Sequence, residues 1–123
     1  MAGRQEALGF IRSTFRSVWT LELLFFLQAN AERSWSHGEM VRALRGSDLV
    51  VSRGVEALVA AGLVLQDKDG RAGYHPVSAD IEASVVAARE LYTKSPDIVR
   101  RTIVTASSGS LAAFADAFRL RKD

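Results

Sequence analysis

Apolar residues recur at helical spacing along most of this chain, and the pattern is interrupted once by a short flatter stretch. In residues 47–64 either Ser47 or Asp48 can cap a helix in which Val51, Val55, Leu58 and Val59 recur on one face, and Gly62 stops it. Leu63, Val64 and Leu65 then begin something more extended. The opposite side of that helix carries Ser47, Asp48, Ser52, Arg53 and Glu56, which the pattern turns toward solvent.

Upstream, residues 5–16 place Leu8, Ile11 and Phe15 on one stripe, as an amphipathic helix does. Ser17 can cap a second helix over 18–30, where Val18, Leu21, Leu24, Phe25 and Leu27 make the segment so apolar that it belongs in the interior. Residues 31–35 read as a loop or a very short strand. Ser36, His37, Gly38 and Glu39 match a capping box ahead of Met40, Val41 and Leu44. Arg45, Gly46 and Ser47 make a tight turn between this helix and the next.

Downstream, residues 63–66 and 72–75 flank a turn cluster from Asp67 to Arg71 with Asp69-Gly70 near its end, which predicts a two-stranded hairpin. Pro76 closes it, and Ser78 can cap a helix in which Ile81, Val85, Ala88 and either Leu91 or Tyr92 share a face as far as Lys94. Ser95, Pro96 and Asp97 break that helix and start another carrying Ile98, Val99, Ile103 and Val104. A Ser107–Ser110 cluster interrupts again. Leu111, Phe114, Ala115 and Phe118 then form a last stripe ending in Arg119, Arg121 and Lys122. The prediction is a mainly α fold with one small β-hairpin, organised as a single domain over 1–123, with no internal repeat and no linker.

Composition narrows the classes of function. A chain of 123 residues with 48% hydrophobic residues can bury one core. It has no cysteine, which excludes disulfides and thiolate metal sites and fits a reducing, cytoplasmic location. The most apolar run, 18–27, is about half a membrane span and contains Glu22, so no membrane partner is expected. His37 and His75 are the only histidines, with no carboxylate pair at ligand spacing, and no metal site is expected. A Gly-rich phosphate loop, a nucleophile elbow and a histidine beside a nucleophile are all lacking, so the chain reads neither as an enzyme nor as a cofactor binder.

Net charge is +2 with an isoelectric point near 9.4, which invites a nucleic-acid partner. Its distribution is less favourable. Between 17 and 77 stand six basic residues, Arg33, Arg42, Arg45, Arg53, Lys68 and Arg71, against seven acidic ones, leaving −1. Phosphate neutralisation supplies most non-specific DNA affinity, so such a module must concentrate its cations or act as a dimer.

The span 17–76 resembles winged helix-turn-helix regulators of the MarR and ArsR type, most closely in Val51-Ser52-Arg53, Val55, Leu58 and Gly62-Leu63-Val64 followed by a hairpin holding Asp69-Gly70. The resemblance implies a third helix in the DNA major groove, a wing along the backbone or minor groove, and a homodimer held by flanking helices. By position it sets Ser47, Ser52 and Arg53 against bases, with Arg45, Lys68 and Arg71 near phosphates. Asp48 and Glu56 would then face a polyanion, and Gly54 lies inside the reading helix. Related regulators hold small aromatic effectors beside such helices, but Trp19, Trp35 and the phenylalanines read here as core.

The helices at 1–16 and 78–123 serve either dimerisation or packing, and pairing between subunits is the reading preferred from sequence. Leu8, Ile11 and Phe15, with Leu91, Phe114 and Phe118, are the interface candidates. Two functions follow. One is a dimeric bacterial-type transcriptional regulator reading a short palindrome in double-stranded DNA. The alternative is an interaction module that holds a protein partner and ignores DNA.

Overall fold

The computed structural model of the chain describes residues 3–106. Along it run α1 (Arg4–Thr14), α2 (Val18–Ala29), α3 (His37–Leu44), α4 (Asp48–Ala60), β1 (Val64–Gln66), β2 (Ala72–Tyr74) and α5 (Ala79–Lys94). A further helix, α6, covers 96–106. The fold is mainly helical with one two-stranded antiparallel sheet.

Local chemistry explains where the elements start and stop. The hydroxyls of Ser17, Ser36, Ser47 and Ser78 accept from the backbone N–H of Thr20, Glu39, Val50 and Ile81, capping α2 to α5. Each such cap satisfies a donor left unpaired in the first turn and stabilises by about 1 kcal/mol. At α3 the box is complete, because the Glu39 carboxylate returns to accept from the Ser36 N–H at 2.8 Å. Gly62, at φ +77°, ends α4, and the N–H of Leu63 reaches back to the Leu58 carbonyl at 3.0 Å.

β1 and β2 pair Val64 with Tyr74, Leu65 with Gly73 and Gln66 with Ala72. Their turn is held by the Asp67 carboxylate, which accepts from the N–H groups of Asp69 and Arg71 at 2.9 Å each, while Gly70 takes φ +84°. Trp35 adds a single bridge on the far side of β2, exchanging two backbone hydrogen bonds with Ala72 at 2.8 Å. The stretch expected as a loop or very short strand is therefore tied to the hairpin. The Trp35 indole donates to the Asn30 carbonyl at 3.2 Å and meets Phe26 edge-on at 4.9 Å.

One contiguous core joins these elements. α2 lies at its centre and buries Leu21, Leu23, Leu24, Phe25 and Leu27, with α4 and β2 packed on it. Met40, Val51, Val55, Leu58, Val85, Ala88, Val99 and Ile103 complete the same cluster. No charged or polar residue is buried among the described residues. Val59, expected on the inner stripe of α4, is 38% exposed: it lies two turns from Val51, beyond the edge of the face that α2 covers.

Two of the residues read as interface candidates, Ile11 and Phe15, pack within the chain. α1 lies on α5 within the chain, with Ile11 and Phe15 fully buried, so their apolar surface is already covered. Leu8 and Leu91 are half-buried, and Leu91 lines the seam between α1 and α5 beside Ala7. α5 uses both of the residues between which the pattern left a choice. Leu91 serves α1, while the Tyr92 ring stands 5.8 Å from Phe25 of α2 and its hydroxyl donates to Glu22 at 3.0 Å. Phe114, Phe118 and the stripe around them lie outside the described residues.

Candidate functional site

Trp19 of α2 lies against the turn after α3 and against the middle of α4. A Cβ added at Gly46 would overlap the Trp19 ring, and one at Gly54 would stand 3.0 Å from a Leu23 methyl and 3.3 Å from Trp19. The two glycines let the turn and the middle of α4 approach α2 more closely than alanine permits. Gly54, out of place in a helix by propensity, is accounted for by this close approach. Arg45 ends α3 in the left-handed conformation at φ 55°, and the N–H of Gly46 bonds to the Val41 carbonyl at 3.2 Å. The angle between α3 and α4 is thus set by backbone hydrogen bonds and by contact with an indole.

With its inner face seated, α4 presents the other to solvent. Ser52, Arg53 and Glu56 are exposed there, as the sequence implied. Ser47 is exposed as well, but its hydroxyl is already engaged as the cap, accepting from Val50 N–H at 3.2 Å. Asp48 Oδ1 lies 3.1 Å from His37 Nε2, linking the first turns of α3 and α4. Two residues that sequence reasoning passed over stand out on this face: Leu49 is 59% and Val50 41% exposed. Their phase could have revealed them, since neither falls on the helical stripe of Val51, Val55 and Leu58.

Charge in this region is arranged more tightly than the net count suggests. Glu39 lies between two arginines, 2.6 Å from Arg33 Nη2 and 3.5 Å from Arg71 Nη2. The Ser36 N–H first and the Arg33 guanidinium second hold its carboxyl at a pKa of about 2. Arg33 also lies over the Trp35 ring at 3.9 Å. Arg71 was expected near phosphates. Its Nε donates to Ser34 Oγ at 3.2 Å and its Nη2 to the Ser34 carbonyl at 3.1 Å, bracing the hairpin against the segment before α3. The planar guanidinium satisfies three acceptors within the chain, and the side chain stays 38% exposed.

With Arg33 and Arg71 engaged, the four other cations between α3 and the hairpin make no ion pair with the described residues: Arg42 of α3, Arg45 of the turn, Arg53 of α4 and Lys68 at the hairpin tip. All four are exposed. Glu56 of α4 and Asp67 and Asp69 of the hairpin are exposed acids that make no ion pair among the described residues.

An open groove of about 400 Å³ runs along the hairpin, bordered by Arg33, Ser34, Gln66, Tyr74 and His75. The Tyr74 hydroxyl is buried with no hydrogen-bond partner among the described residues. Burial, aided by Glu82, raises its pKa above the usual phenol value. Among the described residues no three His, Asp or Glu side chains gather as metal ligands would. No helix among them is long and apolar enough to cross a membrane. Neither a protein-family model, nor a curated protein, nor a solved structure matches the chain.

Proposed function

We propose that the chain is a DNA-binding regulator of the winged-helix type, with α4 as the reading helix and the β1–β2 hairpin as the wing. The observation that carries this reading is the division of α4 into two faces. The inner one is seated on Trp19 and Leu23, and the outer one offers Ser52 and Arg53 to solvent, while Arg42, Arg45 and Lys68 are exposed and make no ion pair among the described residues. A helix held rigidly with its first turns uncovered is the geometry by which recognition helices enter a major groove. In this scheme Arg53 contacts base edges, and Arg42, Arg45 and Lys68 contact phosphates. Arg71 supports the wing from behind.

Glu39 engages two of the module's six basic residues, which leaves four cations against six acids and makes their placement, rather than their number, the basis for phosphate contact. A homodimer would double the available cations and read two half-sites about one helical turn apart. Its interface must lie elsewhere than Ile11 and Phe15, which are internal.

Binding of the purified chain to labelled genomic fragments at low and moderate salt tests the proposal. Affinity is expected to fall steeply with salt and to drop about tenfold or more in Arg53→Ala, the worth of one good base contact. Lys68→Ala should weaken binding to every sequence alike and reduce the salt slope by about one. A second reading, a winged-helix adaptor for a protein partner, draws support from the exposed Leu49 and Val50. It forecasts no DNA binding even at low salt, and a pull-down sensitive to those two residues.

A further inference from the structure

We infer that Leu49 and Val50 are specificity-determining residues that read the C5-methyl groups of thymines, so that the preferred DNA site carries T at the base pairs facing the first turn of α4. The inference rests on the DNA-binding reading above. Both side chains sit in that first turn, where the Ser47 cap fixes the backbone, and both are largely open to solvent at 59% and 41%. Two neighbouring apolar side chains kept in water have no role in the core, whose α4 contribution comes from Val51, Gly54, Val55 and Leu58.

Their surroundings favour DNA over a protein surface. Arg53 lies one turn further along α4, at i+4 from Leu49 and i+3 from Val50, and so borders both on the same side of the helix. Arg45 closes the preceding turn, and neither arginine is paired among the described residues. A protein-binding patch needs about 800 Å² on each partner with an apolar centre, which two side chains next to unpaired arginines do not supply. The major groove instead offers one kind of small apolar group among polar edges, the thymine methyl. Helix N-terminal residues are the ones that reach base edges. Val50 adds stiffness, since a β-branched residue in a helix keeps essentially one χ1 rotamer.

The test begins with selection of sites from a randomised duplex pool by the full chain, followed by replacement of individual thymines with deoxyuridine, which removes only the methyl. Wild type is expected to lose about fourfold in affinity at one or two positions, the value of one buried methyl-sized group. Leu49→Ala or Val50→Ala should bind the thymine and deoxyuridine duplexes equally at the same positions. Both variants should melt as wild type does, because the residues are exposed. Selection of a site that is indifferent to deoxyuridine throughout would overturn the inference while leaving the DNA reading standing. Failure to select any site would remove the DNA reading itself, and the patch would then pass to a protein partner.

Discussion

α1 and α4 are helices of 11 and 13 residues with apolar stripes of similar kind, yet the fold uses them differently. In α1, Ala7 and Ile11 are buried against α5, and no large hydrophobic residue is exposed. In α4 an equally well buried stripe coexists with exposed Leu49, Val50 and Val59 and with an Arg53 that makes no ion pair among the described residues. Packing therefore accounts for all of α1 and for only half of α4. The residue types that packing leaves unexplained are where function is to be sought, and they lie on the helix whose position is most tightly prescribed.

That contrast can be broken most forcefully at Phe15, which is 1% exposed and meets Phe10 edge-on at 5.8 Å. Phe15→Ala is expected to cost about 3–5 kcal/mol in urea unfolding, with a midpoint independent of protein concentration. A midpoint that moves on dilution, in wild type but not in the variant, would return the region around α1 to a subunit interface. Next comes the seat of α4. Gly46→Ala should destabilise by about 1–3 kcal/mol through overpacking against Trp19, and by less in a Trp19→Leu background where the ring is absent. Equal losses in both backgrounds would show that the glycine matters for its backbone alone.

On the outer side of α4 the expected effects on stability are small. Leu49→Ala and Arg53→Ala should both remain within about 0.5 kcal/mol of wild type in thermal melts, because neither touches the core. A larger loss would mean that packing does use this face. Tyr74→Phe removes a buried hydroxyl that has no partner among the described residues and should leave stability unchanged or raise it by up to about 1 kcal/mol. A clear loss would reveal a partner for that hydroxyl.

The Glu39 cluster supplies a pH dependence. The folded-state pKa of about 2 lies below the usual glutamate value near 4.3, so ionised Glu39 favours the native state. Its stabilisation is complete above the unfolded value and fades as pH falls from there toward 2. Glu39→Gln should accordingly be less stable than wild type at neutral pH, with the gap narrowing between about pH 4.5 and 2. Parallel stability curves across that range would show that neither the Ser36 N–H nor the Arg33 guanidinium favours the ionised carboxyl.

Much of the architecture was legible from residue order because the responsible interactions span only a few residues. A serine ahead of an apolar helix, the Ser36–Glu39 box, Gly62 after Ala61 and the Asp67–Gly70 turn each act within one helical turn or one hairpin tip. Their positions therefore survive into the structure with only small shifts in helix ends. The exposed side of α4 followed from the same periodicity, which is why Ser52 and Arg53 stand where the pattern set them.

What residue order left open depends on contacts between positions far apart in the chain. Arg71 meets Ser34 and Glu39 across more than thirty residues, so these contacts had no local sign. The covering of Ile11 and Phe15 required α5 to arrive against α1, and Gly46 and Gly54 made sense only once Trp19 lay beneath them. Short-range hydrogen bonding thus determined which elements form and where they end. Burial and charge pairing, which depend on what each surface finally meets, decided which of their residues remain available to a partner.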